Sequence, residues 1–179
     1  SLVNTKGIIN EIKLSSPLIE INKKKDNFFI AGKILTDKEE FNKDQINAMM
    51  PNFLKSSNIE KISFNSENQI SFNVNQKFKI KNVVIQSKIN LDQLVIKNNL
   101  INLKPYLPNL KNIINFENHK IIINYDKDKL GIKGSGEILV KDKPDSVNYT
   151  IEKNTEKLIF NKKINIKNNK LMLDFLNYE

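Results

Sequence analysis

Between Gln69 and Ile80 the even-numbered residues are apolar, except Gln76, and the odd-numbered residues are polar. Successive side chains of a β-strand point to opposite sides, so this alternation predicts a strand with one apolar and one polar face. Sheets covered by helices on both faces have strands that are apolar throughout. The alternation therefore favours an antiparallel sheet with one face in water.

The phase of this alternation changes at Lys81 and Asn82, after which the apolar residues occupy odd positions such as Ile85, Ile89 and Leu91. A bulge or a tight turn within a continuing sheet shifts the phase by one residue in this way. We therefore expect the same apolar face to continue beyond residue 82.

Two short helices are predicted among the strands. Residues 36–39 have the form of a capping box, and apolar residues follow at three- and four-residue spacing, which predicts a helix over 37–55 with an interruption near Pro51. Two prolines precede a second helical spacing of apolar residues, which predicts a helix over 106–116.

The other segments are expected to be strands. Residues 7–13 and 17–22 are predicted to be two strands separated by the Ser-Ser-Pro sequence, and residues 58–65 a further strand that turns at 66–68. From His119 onward, clusters of lysine, aspartate and asparagine recur every 8 to 12 residues, as in an antiparallel meander. The predicted fold is mainly β, with a large curled antiparallel sheet that forms an open groove or half-barrel, two short helices, and one domain over 1–179.

The positive charge of the chain suggests a nucleic-acid partner, but the composition argues against one. The net charge is +9, but all 29 basic residues are lysines. Base recognition and phosphate clamping in nucleic-acid complexes favour the planar fork of arginine. The lysines also alternate with apolar residues, which spreads them over a solvated face. We therefore expect no nucleic-acid partner.

No catalytic or metal-binding constellation is visible. The chain has no cysteine and one histidine, His119, which we interpret as a surface or turn residue. Gly131, Gly134 and Gly136 lack the helix and the lysine of a phosphate loop and are interpreted as strand glycines, two of them on the apolar face. They would let the sheet bend or leave room for another group. We expect a protein that is not an enzyme, with no cofactor and no metal.

The amount of apolar strand exceeds the predicted helical cover. Either the sheet curls and closes on itself, or its apolar face is a groove for an apolar ligand. The chain begins at Ser1 rather than Met, from which we expect it to be a fragment of a longer chain.

Three segments of the chain resemble a known family. They are ISFNVNQKFKIKNVVIQSKINLDQLVI at 70–96, KPYLPNL at 104–110 and HKIIINYDKDKLGIKGSGEILVKDKPDSVNYTI at 119–151. In their general pattern of strands they are similar to the AsmA-like and YhdP-like periplasmic proteins, which are the bacterial branch of the repeating β-groove lipid-transfer proteins. The resemblance covers about residues 58 to 176 and contains no invariant motif.

The resemblance implies a function and a location. It implies a non-enzymatic segment of an envelope protein in the periplasm of a Gram-negative bacterium, in a parent chain anchored in the inner membrane. The partners implied are phospholipid acyl chains, which would pass between the inner and outer membranes along the groove. The alternative is a structural or interaction β domain of a secreted or surface protein, in which the same residues form an ordinary core.

The resemblance also assigns a role to the apolar residues of the strands. The residues expected to line the lipid groove are Ile70, Phe72, Val74, Phe78, Ile80, Ile121, Ile123, Leu130, Ile132, Ile138, Val140, Val147, Tyr149 and Ile151.

Overall fold

The computed structural model of the chain describes residues 1–9, 11–49, 58–97, 112–139, 143–155, 157–165 and 167–168. These residues form nine strands and one short helix. The strands are β1 (Leu2–Ile9), β2 (Ile12–Lys24), β3 (Asn27–Asn42), β4 (Ile59–Asn75), β5 (Ile80–Lys97), β6 (Ile113–Asp126), β7 (Lys129–Leu139), β8 (Asp145–Lys153) and β9 (Leu158–Asn165). The helix is α1 (Lys43–Met49).

Each strand pairs antiparallel with the next one along the chain, which gives a single nine-stranded sheet. The first and last strands are not paired with each other, so the sheet is open. The predicted mainly β, antiparallel architecture is confirmed. Helix α1 contacts only β3 and β4 among the described elements.

The cross-strand register places residues of like character on the same side of the sheet. Directly opposed residues of antiparallel strands share a face, and Ile70 opposes Ile85, which opposes Tyr125, which opposes Leu130. We call this side the apolar face. Its apolar members in the six strands from β4 to β9 include Ile70, Phe72, Val74, Ile80, Ile85, Ile89, Leu91, Ile121, Ile123, Tyr125, Leu130, Ile132, Ile138, Val147, Tyr149, Ile151, Leu158, Phe160 and Ile164.

The opposite side of the sheet, the polar face, carries mainly lysine, asparagine, glutamine and serine. Its residues in β4 to β9 include Asn65, Glu67, Gln69, Gln86, Lys88, Asn90, Lys120, Asn124, Lys133, Ser135, Asn148, Thr150, Asn161 and Lys163. The two faces therefore differ in chemistry along the greater part of the sheet.

Turns and bulges keep the two faces in phase. The change of phase after residue 80 is a hairpin turn at 76–79 that joins β4 to β5, followed by a register shift beside Asn82, whose φ is 53°. A second shift occurs in β6 beside Asn118, whose φ is 54°. Asparagine tolerates this left-handed conformation better than most residues. The expectation that the same face continues is confirmed.

The first predicted helix is much shorter than expected. Residues 37–42 belong to β3, only Lys43–Met49 are helical, and residues 50–55 lie outside the described part of the chain. The capping box occurs six residues later than predicted. The Asn42 side chain accepts a hydrogen bond from the Gln45 amide at 3.1 Å, and the Gln45 side chain accepts one from the Asn42 amide at 3.1 Å.

The residues that flank this capping box explain where the helix begins. Phe41 precedes the N-cap and Ile46 is the fourth helical residue, the two positions of a hydrophobic staple. Both side chains are 3% exposed, and Phe41 also packs against Phe64, with ring centroids 6.1 Å apart. Because β3 continues through a register shift after Thr36 to pair with β4, the earlier capping signal has no helix to cap.

The second predicted helix is wrong over the residues that are described. Ile113 to Phe116 are the start of β6 and pair with the end of β5, where Ile96 opposes Ile114. β-Branched residues favour this pleated setting. Residues 106–111 lie outside the described part of the chain.

Two predicted turns are also wrong. Residues 66–68 lie within the uninterrupted strand β4, and the Ser-Ser-Pro sequence lies within β2, whose hairpin with β1 is near Glu11. In β4 the polar side chains bond to one another and to β3 instead of forming a turn. The Ser66 hydroxyl donates to the Thr36 hydroxyl at 3.0 Å, and the Asn68 amide donates to the Ser66 hydroxyl at 2.9 Å.

The strand glycines of β7 provide space for aromatic rings. Gly134 and Gly136 lie on the apolar face, as predicted, while Gly131 lies on the polar face. A Cβ atom at Gly134 would fall on the ring of Tyr149, and one at Gly136 would fall on the ring of His119. The room left by the missing side chains is therefore filled by the protein's own rings.

We predict that Gly136→Ala and Gly134→Ala each lower the free energy of unfolding by about 2 kcal/mol, because the added methyl group overpacks a ring that rests on the strand. The matched control is Gly131→Ala in the same strand, where the nearest atom to an added Cβ is the Asn124 carbonyl oxygen at 4.0 Å. Urea denaturation should leave the control unchanged or slightly more stable. Equal losses in all three variants would contradict the ring contacts.

Candidate functional site

The structure gathers most of the predicted groove residues on one surface. Of the fourteen residues, twelve lie on the apolar face. Phe78 instead lies in the turn between β4 and β5 with a φ of 57°, and its side chain is 86% exposed. Val140 lies outside the described residues.

The apolar side chains form rows that run across the strands. In one row Ile123 of β6 opposes Ile132 of β7, which opposes Ile151 of β8, which opposes Phe160 of β9. Neighbouring strands lie about 4.8 Å apart, so such a row is a continuous aliphatic and aromatic strip about 14 Å long. A strip of this kind offers dispersion contacts without hydrogen-bonding groups.

Burial divides the apolar face into two parts. Ile138 and Val147 are buried with Ile114 in a core cluster, against which Phe116 and Tyr149 pack. By contrast, Phe72, Ile123 and most of the other predicted groove residues are half-buried. Part of the face is therefore protein core, and the rest remains partly accessible.

A small polar group interrupts the apolar face where β3, β4 and β5 meet. We call it the hydroxyl patch, and it consists of Thr36, Ser66, Asn68 and Ser87. Hydrogen bonds join Thr36, Ser66 and Asn68, and the Asn68 side chain also donates to the carbonyl of Ile34 at 3.3 Å. Because these groups bond to one another, the patch adds little exposed polarity to the face.

His119 is buried, which overturns the surface or turn interpretation. It is 1% exposed on the apolar face of β6, between the rings of Phe116 and Tyr149 at centroid distances of 5.6 and 5.9 Å. Its Nε2 lies 2.9 Å from the Glu137 carbonyl oxygen. A carbonyl can only accept, so Nε2 carries the proton. Nδ1 has no hydrogen-bond partner among the described residues.

Tyr149 completes this aromatic group. Its ring covers Gly134, and burial raises the pKa of its phenol above the ordinary value because the phenolate would lose hydration. The hydroxyl therefore stays neutral through the physiological range. The rings of Phe116, His119 and Tyr149 pack together on the apolar face.

The polar face carries an open cavity that is rich in lysine. Its volume is about 520 Å³, and it spans β6 to β9. The lining residues that the register places on the polar face are Lys120, Ile122, Lys133, Ser135, Asn148, Thr150, Asn161 and Lys163, and the remaining ones are Gly134, Tyr149 and Lys162. None of them is a carboxylate, and we call this feature the lysine cavity.

Four other lysines form ion pairs with carboxylates in the described part of the chain. Lys33 pairs with Glu67 at 2.8 Å, and hydrogen bonding to this lysine, with its charge, lowers the pKa of the Glu67 carboxyl. Further pairs join Lys38 to Asp92, Lys43 to Glu60 and Lys61 to Glu40. Within the described ranges no lysine of the lysine cavity forms an ion pair.

Comparison with known proteins adds no family or relative. No family model, no curated protein and no solved structure matches the chain. Among the described residues there is no group of three or more histidine, cysteine, aspartate or glutamate side chains that could hold a metal ion, and no described helix is long and apolar enough to cross a membrane.

Sequence reasoning missed the hydroxyl patch and the lysine cavity. The sequence did not predict the patch because Ser66 and Asn68 are of residue types typical of turns. Lys120 and Lys133 are 13 positions apart in the chain and Lys133 and Lys163 are 30 apart, and only the register brings the three to one place. Their positions on the polar side of alternating strands were the available signal, but this signal is shared by many other lysines.

We predict that His119→Ala lowers the free energy of unfolding by about 3 kcal/mol, because it leaves a cavity between two rings and beside Gly136. His119→Phe keeps the ring and removes only the donor to the Glu137 carbonyl, so its loss should be about 1 kcal/mol. Thermal or urea unfolding of the two variants measures the difference. A phenylalanine variant as unstable as the alanine variant would argue against ring packing as the role of this residue.

Proposed function

We propose that the chain is a non-enzymatic segment of an envelope protein of a Gram-negative bacterium, and that its apolar face curls into a groove that holds phospholipid acyl chains. In this proposal the segment lies in the periplasm and belongs to a parent chain anchored in the inner membrane. Phospholipid passes along the groove between the inner and outer membranes. No cofactor, metal or nucleic acid takes part.

The observation that carries the proposal is the extent of the apolar face in relation to its cover. Rows of aliphatic side chains cross β6 to β9, and helix α1 contacts β3 and β4 alone among the described strands. Large side chains such as Ile21, Ile80 and Phe160 are about half exposed on this face. Extended apolar surface of this kind in a protein is typical of a binding site.

The energetics of acyl-chain transfer suit such a surface. A buried methylene group is stabilised by about 0.8 kcal/mol relative to water, so a chain of about 15 methylenes that is half covered is stabilised by about 6 kcal/mol. A lipid leaving a bilayer gives up a similar stabilisation there, so a groove has to match the bilayer rather than exceed it. Side chains without specific hydrogen bonds allow the chain to slide.

One observation favours a second function, that of a structural or interaction β domain of a secreted or surface protein with no lipid ligand. Ile138 and Val147, two of the predicted groove residues, are buried in the core cluster with Ile114. If protein atoms cover the rest of the apolar face in the same way, these residues are an ordinary core. A measurement of lipid binding distinguishes between the two functions.

The test uses two variants that add the same charge to opposite faces. Ile21→Glu with Ile80→Glu alters the apolar face, and Ile8→Glu with Ile159→Glu alters the polar face outside the lysine cavity. The four isoleucines are all exposed, between 46% and 69%, so both variants should fold. Thermal unfolding checks this point.

We expect native mass spectrometry to find phospholipid bound to the chain when it is produced in a bacterial host. The chain should also take up a fluorescent phospholipid from vesicles. The apolar-face variant should bind about tenfold less, since an unpaired carboxylate in the groove would have to be desolvated beside the acyl chain. The polar-face variant should match the wild type. A wild-type chain that emerges free of lipid and takes none up would exclude the proposal and leave the structural domain.

A further inference from the structure

We propose that the lysine cavity of the polar face is a binding site for a phosphate ester, carried by Lys120, Lys133 and Lys163. The inference does not depend on lipid binding to the apolar face, because the two surfaces lie on opposite sides of the sheet. It assigns a second, anionic ligand to the chain.

The register places these three lysines around one point. Lys120 in β6, Ser135 in β7, Asn148 in β8 and Lys163 in β9 oppose one another in turn across the sheet. The Cα atoms at the two ends of this row are about 14 Å apart, and Lys133 stands in the neighbouring row about 7 Å away along its strand. Long, flexible lysine side chains can converge on an anion between these positions.

Neutral donors fill the space between the ammonium groups. Ser135, Asn148, Thr150 and Asn161 line the same cavity and can each donate a hydrogen bond to an oxygen of a bound group. Phosphate oxygens accept several such bonds at once, and lysine supplies a positive charge without the directional demand of arginine. The residue set fits a phosphate better than a metal ion or an apolar ligand.

The absence of carboxylates separates this cavity from its neighbours. A second cavity on the same face contains Asp126 and Glu152 beside its lysines, so its charges can balance within the protein. The single lysine of a third cavity, Lys33, is paired with Glu67. Of these three cavities, the lysine cavity is the one in which several ammonium groups meet no acidic partner, so an anion from outside can complete it.

The phosphate could belong to a free ester or to the headgroup of an anionic lipid, and the experiment separates these sources. The isotope-labelled chain is titrated at low ionic strength with inorganic phosphate and with glycerol 3-phosphate, and amide resonances are followed by NMR. In parallel, the chain is sedimented with vesicles of phosphatidylcholine alone or mixed with phosphatidylglycerol. A short single-stranded oligonucleotide is titrated as a third probe.

The site variant is Lys120→Gln, Lys133→Gln and Lys163→Gln together. The control, Lys77→Gln, Lys79→Gln and Lys81→Gln, removes the same charge from exposed lysines in and beside the β4–β5 turn. All six side chains are exposed, so neither variant should unfold the sheet. Thermal unfolding confirms this for both.

We expect saturable shifts at Ser135, Asn148 and Thr150 with glycerol 3-phosphate, weakened about tenfold or more by the site variant because hydrogen bonds to charged groups are lost. The control should change affinity less than about twofold, as for distant screened charges. Binding to phosphatidylglycerol vesicles that glycerol 3-phosphate competes away identifies a headgroup, and ester binding without vesicle binding identifies a free ester. Either result supports the site.

Three results would overturn the inference. The first is the absence of saturable shifts with both phosphate probes. The second is an equal loss of affinity in the site and control variants, which would indicate net charge alone. The third is binding of the oligonucleotide with no response to either small phosphate probe.

Discussion

The fold depends on the cross-strand register that keeps one side of nine antiparallel strands apolar. A slip of one residue in any strand would move its isoleucines and phenylalanines to the water side and its lysines to the other. The positive-φ asparagines Asn82 and Asn118 lie where the register shifts, and each shift restores the phase of the alternation. Local backbone irregularity therefore maintains the regular separation of the two faces.

Packing on the apolar face shows how the described strands build a core within a single sheet. Side chains in β6 to β8 cover one another, since the rings of His119 and Tyr149 lie over Gly136 and Gly134, and Ile114, Ile138 and Val147 pack beside them. Elsewhere the same face stays half-buried. Burial therefore differs between the β6–β8 part of this face and the rest of it.

The two faces suit different partners because one is apolar and the other carries charged and polar side chains. The apolar face offers strips without hydrogen-bonding groups, which the hydroxyl patch and the charged residues Asp145, Lys153 and Lys162 interrupt. The polar face offers ammonium groups and neutral donors, and in the lysine cavity these groups have no acidic neighbour in the lining. The two proposed sites therefore lie on opposite sides of the sheet, separated by one layer of backbone.

The class of fold and the membership of the apolar face could be predicted from the residue pattern alone. Alternation with a period of two predicted the antiparallel sheet and the common side of twelve predicted groove residues, because side-chain direction along a strand is a local property. The features that depend on strand pairing could not be predicted in this way. The capping signal at Thr36 starts no helix, because β3 continues there and pairs with β4. Ser66 and Asn68 bond to residues of β3 instead of forming a turn. His119 is buried because Gly136 beside it leaves room for a ring. The meeting of Lys120, Lys133 and Lys163 has the same origin, since residues distant in the chain come together only through the register of the sheet.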